Sequence, residues 1–145
     1  MGFTSNTIEL VLGSNLDYLN LVETVTDSIT SLMGFDQETA YWVNMAVRES
    51  SINAIRHGNC FDPGKKVAIL FEVGKEELTI QVTDEGQGFD PQTLPDPLAP
   101  ENLLKSSGRG IFYIRSFMDQ VNFIRPDHGG MQIQMIKRLV PKQTN

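Results

Sequence analysis

Glu49, Asn53 and His57 stand four residues apart in the run Glu49-Ser50-Ser51-Ile52-Asn53-Ala54-Ile55-Arg56-His57. On an α-helix a step of four advances roughly 400°, so a carboxylate, a carboxamide and an imidazole would line one face. Val43, Ala46, Val47, Ala54 and Ile55 are apolar and would bury another face. Pointed into a cleft, the carboxylate is a candidate base and the carboxamide a candidate ligand for a hard cation. Pointed at solvent, the same stripe has no chemistry, and taken alone it leaves both readings open.

A second segment, Val82-Thr83-Asp84-Glu85-Gly86-Gln87-Gly88, carries an apolar strand straight into an Asp-x-Gly-x-Gly turn. Alternate glycines let the backbone bend sharply and approach a ligand without interference from Cβ atoms. A carboxylate at the strand end can accept a hydrogen bond from an amine, for example the exocyclic amine of adenine. Turns of this composition also end strands that bind nothing.

The third segment is Ser106-Ser107-Gly108-Arg109-Gly110-Ile111, with two glycines at the mouth of a helix. Unpaired N–H groups and the positive end of the helix dipole suit such a terminus to anions, phosphate included. Arg109 is either a phosphate contact or a solvated loop cation. The segment is not a P-loop, because Gly-x-x-x-x-Gly-Lys-Ser/Thr is missing, and no Gly-x-Gly-x-x-Gly opens a strand–helix unit. Cys60, the only cysteine, comes three residues after His57, but an inert thiol in a loop leaving the helix is the simpler reading than a thiol–imidazole pair.

These segments need elements to hold them. Residues 3–11 read as a strand, with a turn near Gly13 in which Ser14 or Asn15 caps the next helix. Val22, Val25, Ile29, Leu32 and Met33 repeat at helical spacing up to a stop at Gly34. Asp36 caps a second helix that is expected to run to about His57, ended by Gly58-Asn59. Val67–Val73 and Leu78–Val82 alternate around residues 74–77 and predict a β-hairpin. Residues 90–107 hold four prolines and predict a long loop. A helix from Gly110 and two strands, Val121–Ile124 and Met131–Ile136, with Asp127-His128-Gly129-Gly130 as the turn between the strands, complete the chain. Interleaved strands and helices imply an α/β (α+β) two-layer sandwich, a mainly antiparallel mixed sheet with helices on one face.

The 145 residues fit a single domain with a full core, and 40% hydrophobic with 21% charged residues is an ordinary globular composition. A formal charge of −6 argues against direct nucleic-acid binding and against an anionic membrane surface. One cysteine allows no internal disulfide, and no apolar stretch is long enough to span a bilayer, so a cytoplasmic location is expected.

The order of the segments is more specific than any of them alone. Helical Glu-x-x-x-Asn, strand-end Asp-x-Gly-x-Gly, a long loop and Gly-x-Gly opening a helix resemble the GHKL ATPases, the superfamily of DNA gyrase, heat-shock chaperones, histidine kinases and mismatch-repair proteins. Glu49 to Asn53 matches the N box, Asp84 to Gly88 the G1 box, and Ser107-Gly108-Arg109-Gly110 the G2 box. The short lid Asp96 to Leu104, running into Gly108-Arg109-Gly110-Ile111-Phe112 with Phe117-Met118-Asp119 beyond, is similar to bacterial anti-sigma factor serine/threonine kinases.

That resemblance implies a histidine kinase-like ATPase fold over residues 1–145, with an ATP lid at about 90–107. It implies ATP/ADP as nucleotide and Mg²⁺ as metal, with Asn53 as metal ligand and Glu49 as general base. Asp84 would recognise adenine, Gly86 and Gly88 would shape the pocket, and Ser107, Gly108 and Gly110 would lie over the phosphates with Arg109 near the γ-phosphate. The family often carries a histidine where His57 stands, for which a capping and a supporting role both stay open. The family also carries a threonine near the adenine-binding carboxylate, after a glycine in the penultimate strand. Here Met131 comes after Gly129-Gly130 and offers no hydroxyl. The implied activity is phosphorylation of a serine on an anti-anti-sigma (STAS-domain) protein, with sequestration of a sigma factor by a homodimer. The alternative is an ATP/ADP-binding partner-switch module that transfers no phosphate.

Overall fold

The computed structural model of the chain describes residues 6–87 and 109–140. Five strands, β1 (Asn6–Gly13), β2 (Lys66–Val73), β3 (Glu77–Thr83), β4 (Gln120–Ile124) and β5 (Gln132–Arg138), form one sheet in the order β1-β2-β3-β5-β4. Every pairing among the described residues is antiparallel. The helices are α1 (Leu19–Met33), α2 (Gln37–Asn53) and α3 (Arg109–Phe117).

Side chains alternate across the pleat, so register decides which ones meet. One row crosses the sheet as Leu10, Ile69, Val82, Ile133 and Phe123, and the next as Ile8, Phe71, Ile80, Met135 and Val121. The central members of both rows are buried against the helices. Burying each such side chain contributes about 1.5–3 kcal/mol. The opposite face carries Thr83, Gln132, Gln134 and Asn122, whose amides and hydroxyl bond to one another across strands, as in Asn122 Nδ2 to Gln134 Oε1 at 3.0 Å.

The helices begin and end where their caps dictate. Asn15 Oδ1 accepts from the Asp17 N–H at 2.9 Å and starts a 3₁₀ turn, Leu16–Tyr18, that feeds α1. Gly34 ends α1 at φ +89°, a left-handed conformation that costs a glycine little. Asp36 Oδ1 accepts from the Thr39 N–H at 2.7 Å, capping α2. That bond holds the Asp36 carboxyl below the usual range. α1 buries Val22, Thr26, Ile29 and Thr30, and the two threonine hydroxyls are satisfied by the carbonyls of Val22 and Thr26. α2 buries Val43, Ala46, Val47, Ser50 and Ser51. Trp42 of α2 stacks on Phe117 of α3 with ring centroids 4.2 Å apart, tying α3 to the helix that bears Glu49.

The second helix departs from the sequence expectation in one respect. The α-helix stops at Asn53, and residues Ala54–Gly58 form a π turn closed by the Asn59 N–H on the Ala54 carbonyl at 2.8 Å. The wider turn breaks the four-residue alignment, so the predicted stripe is really the pair Glu49 and Asn53. His57 lies beyond it, exposed. The physical reason lies in what the π turn delivers, Gly58 and Asn59, to the loop after β3.

Candidate functional site

α2 presents Glu49 and Asn53 one turn apart and half-buried, along one edge of the face that it buries. Neither side chain has a hydrogen-bond or ion-pair partner among the described residues. Neighbouring polar groups on α2 behave differently: Arg48 binds Glu23 at 2.7 Å, and Asn44 binds Asp27 Oδ1 at 2.8 Å. A half-buried carboxylate and carboxamide without a partner among the described residues have the chemistry of a base and an oxygen ligand.

Asp84 leaves the end of β3 and is buried, 7% exposed. Its Oδ1 accepts from the N–H of Gly86 at 2.9 Å and from the N–H of Met131 at 3.1 Å. The Asp84 N–H in turn donates to the Met131 carbonyl at 2.9 Å. Met131, where the resemblance implies a threonine, therefore holds the carboxylate through its backbone. Thr83, one residue earlier, points to the other face of the sheet and accepts from Gln132 Nε2 at 3.0 Å, as strand alternation requires. No donor among the described residues reaches Asp84 Oδ2. Burial pushes the Asp84 carboxyl above its ordinary range, opposed by the two backbone hydrogen bonds and by the charge of Lys65. A carboxylate held at one oxygen, with the other open, is suited to one amine donor.

Glycines pack around this side chain closely enough to exclude any Cβ. A Cβ on Gly58 would overlap the Asp84 carboxylate, and one on Gly86 would overlap the Gly58 carbonyl. One on Gly130, which sits at φ +85°, would overlap the Asp84 carbonyl. Gly86 is thus a sequence-predicted site residue required for close approach, while Gly58 and Gly130 were visible only as a helix stop and a turn.

Asn59 was missed as well. Its side chain is buried, 1% exposed, and bonds three separate segments. Nδ2 donates to Ser14 Oγ and to the Lys66 carbonyl, each at 3.0 Å, and Oδ1 accepts from the Glu85 N–H at 2.8 Å. Cys60 is exposed, and its thiol faces the His57 carbonyl at 3.8 Å rather than the imidazole.

The structure brings Asp84, Gly86 and Gly58 into contact, and Gly58 closes the turn that begins directly after Asn53. Glu49 and Asn53 therefore lie one helical turn apart on the segment leading to the Asp84 carboxylate. Arg109 and Gly110 are the first described residues of α3. Gly88, Ser107, Gly108 and the 90–107 loop lie outside the described residues. No helix among the described residues is long and apolar enough to cross a membrane.

Comparison with known proteins gives this arrangement a family. The model of the histidine kinase-like ATPase domain matches residues 12–137. The chain is 26% identical over 152 residues to the serine-protein kinase RsbW of Staphylococcus epidermidis, covering 99% of this chain and 93% of that one. It is 27% identical over 138 residues to the serine-protein kinase RsbW of Bacillus subtilis, covering 91% and 85%. Among solved structures it is similar in fold to the RsbU and RsbW domains of Rv1364c from Mycobacterium tuberculosis, with a TM-score of 0.65, 14% identity and 92% of this chain covered. The chain spans 32% of that longer protein. The family match runs from the end of β1 to the end of β5 and takes in Glu49, Asn53 and the Asp84 loop, so the chain belongs to the histidine kinase-like ATPase domain family, whose members bind ATP.

Proposed function

We propose that the protein is an ATP-dependent serine/threonine kinase of the anti-sigma type, a single ATPase domain that phosphorylates a serine of an anti-anti-sigma (STAS-domain) partner. Phosphorylation of that partner decides whether the kinase, acting as a homodimer in the cytoplasm, holds the partner or a sigma factor. The observation that carries the reading is the half-buried pair Glu49 and Asn53, without a partner among the described residues, on the segment that leads through Gly58 to a buried carboxylate. The printed names of the relatives, serine-protein kinases, support the reaction class.

The residues suit the ligands this reading requires. Asp84 Oδ2 accepts from the adenine amine while Oδ1 stays bound to Gly86 and Met131. The described residues contain no group of three or more histidine, cysteine, aspartate or glutamate side chains that could hold a metal by itself. Mg²⁺ keeps waters and takes its protein ligands sparingly, so one carboxamide oxygen of the chain fits it. Asn53 supplies the carboxamide oxygen. Mg²⁺ held there would supply charge neutralisation on the phosphates.

Glu49 then accepts the proton of the incoming serine hydroxyl. The serine oxygen bonds to the γ-phosphorus, the bond from that phosphorus to the bridging oxygen of ADP breaks, and ADP leaves with the electron pair. The chain itself contributes position and one proton acceptor, which is most of what phosphoryl transfer asks of a protein. In this scheme Gly86 and Gly88 shape the pocket, and Ser107, Gly108, Arg109 and Gly110 lie over the phosphates, with residues 90–107 as the lid.

The test is transfer of labelled phosphate from Mg-ATP to STAS-domain partners by wild type and Glu49→Ala. Label on a partner serine with wild type alone supports the kinase. Nucleotide binding with no transfer to any partner leaves a partner-switch module, and no nucleotide binding in calorimetry removes both.

A further inference from the structure

We propose that Asn59 is the positioning residue that aims Asp84 and thereby sets the preference for adenine over a 6-oxopurine. This rests on the reading of Asp84 as the adenine acceptor. The Glu85 N–H that Asn59 Oδ1 holds at 2.8 Å belongs to the peptide unit whose carbonyl is that of Asp84. A peptide unit is planar, so fixing its N–H fixes the plane attached to the Asp84 Cα. The other end of the same unit is fixed too, because Gly130 packs directly on the Asp84 carbonyl. Rotation about the Asp84 Cα–C bond is blocked from both sides, and with it the direction in which the side chain leaves the strand.

Asn59 has the anchorage this job demands. Its Nδ2 donates to the Lys66 carbonyl and to Ser14 Oγ, and Ser14 Oγ donates to the Lys65 carbonyl at 2.6 Å. Glu85 returns the connection, its Oε1 accepting from the Lys66 N–H at 2.6 Å. The loop after β3 is thus laced to the start of β2 through one buried amide. The chain adopts an unfavourable backbone to place that amide: Cys60 and Phe61, neither of them glycine, sit at φ +51° and +58°. Their bonds show what the conformation achieves, since the Phe61 N–H reaches the Ile55 carbonyl at 2.9 Å and the Asp62 N–H reaches the Asn59 carbonyl at 2.9 Å. The chain turns back on itself with Asn59 facing inward.

A residue that merely stabilised the fold would, on removal, weaken all nucleotides alike. A residue that aims Asp84 affects only the nucleotide whose amine Asp84 reads. Dissociation constants for Mg-ATP and Mg-ITP, which differ at purine position 6 by an amine against a carbonyl, separate the two roles. They are measured by calorimetry on the full chain for wild type, Asn59→Ala, Asn59→Asp and Ile29→Val, with thermal unfolding of each. Asn59→Ala is expected to weaken ATP by roughly ten- to hundredfold and ITP by much less, collapsing the ATP/ITP ratio. Asn59→Asp keeps an acceptor for the Glu85 N–H and is expected to retain most of the ratio even though it sets an oxygen against the Lys66 carbonyl and lowers stability. Ile29→Val, a core change in α1, is expected to lower stability and leave the ratio alone. Should Asn59→Ala fail to fold, Asn59→Ser, whose hydroxyl is too short to reach Glu85, takes its place with the same expected loss. A wild-type ratio in the alanine or serine variant overturns the proposal, as does an equal collapse in Ile29→Val. A wild type that does not distinguish ATP from ITP overturns the Asp84 reading and this inference with it.

Discussion

Asp84→Asn separates what the buried carboxylate does for the ligand from what it does for the fold. Asparagine can keep Oδ1 as acceptor for the Gly86 and Met131 N–H groups, which leaves Nδ2 where Oδ2 now lies. An adenine amine then meets a donor instead of an acceptor. Loss of a hydrogen bond to a charged group is about 1.5–3 kcal/mol, and leaving a buried donor unpaired adds about 1–3 kcal/mol. A combined loss of about 2.5–6 kcal/mol lowers ATP affinity roughly 10²- to 10⁴-fold. The same exchange favours ITP, whose 6-carbonyl accepts from Nδ2 but would face an oxygen in wild type. Titration calorimetry with both nucleotides is therefore expected to show the preference inverted, not merely lost. Equal weakening of ATP and ITP, or none, would refute the assignment of Asp84 to the purine amine.

The fold without nucleotide should respond in the opposite sense. Because burial raises the folded-state pKa of Asp84 above its unfolded value, the native state binds the proton more tightly. Its contribution to stability is complete below the unfolded value and declines as pH rises through the folded one. At neutral pH the ionised carboxylate costs the nucleotide-free protein stability that asparagine does not. The variant is expected to melt at or above the wild-type temperature at pH 7, and the advantage should shrink on acidification toward and below the ordinary carboxyl range. A variant that melts well below wild type at neutral pH would mean that the backbone hydrogen bonds, not burial, dominate at this side chain.

The same geometry sets three further outcomes. Glu49→Gln removes the proton acceptor but keeps shape, so phosphate transfer should fall about 10²–10⁴-fold while the Kd for Mg-ATP changes less than about threefold; a large loss of binding would remove the base role. Asn53→Ala should weaken Mg-ATP far more than ATP measured in chelator, and equal losses would count against Asn53 as metal ligand. Gly58→Ala forces a methyl into the Asp84 carboxylate and should abolish measurable ATP binding, whereas Gly34→Ala, where an added Cβ meets nothing but φ is +89°, should lower the melting temperature and spare binding.

The sequence carried the elements well because their signals are local. Asn15, Gly34 and Asp36 act within a turn of themselves, and period-two alternation in Val67–Val73 and Leu78–Val82 fixed both hairpin and buried face. Glu49, Asn53 and Asp84 were legible as candidates because their types and order match a family, and the structure places them along one segment and its neighbour. Gly58, Gly130 and Asn59 were not legible, since their roles lie in contacts across 26 to 46 residues of chain that no local pattern encodes. Gly58-Asn59 looked like an ordinary helix stop, and the Gly129-Gly130 pair like an ordinary turn.

The irregular features of the chain point at the same place the motifs do. A π turn replaces the last turn of α2, two consecutive non-glycine residues take left-handed backbones, and Gly130 takes another. The π turn and the left-handed non-glycine pair cost free energy in isolation, Gly130 admits no Cβ, and a fold keeps such features where surrounding contacts enforce them. All of them end in contact with Asp84 or with its peptide to Glu85: the π turn through Gly58, the left-handed pair through Asn59, Gly130 directly. The distorted segment 54–61 and Gly130, 46 residues on from Asp84, thus meet at one buried carboxylate, while the core beside it is made of regular strands and helices. The convergence also accounts for His57. A continuous α-helix would have kept His57 in line with Glu49 and Asn53, but it would not have brought Gly58 against Asp84. The chain gave up the alignment of the histidine in order to join the helix that carries Glu49 and Asn53 to the strand that ends at Asp84.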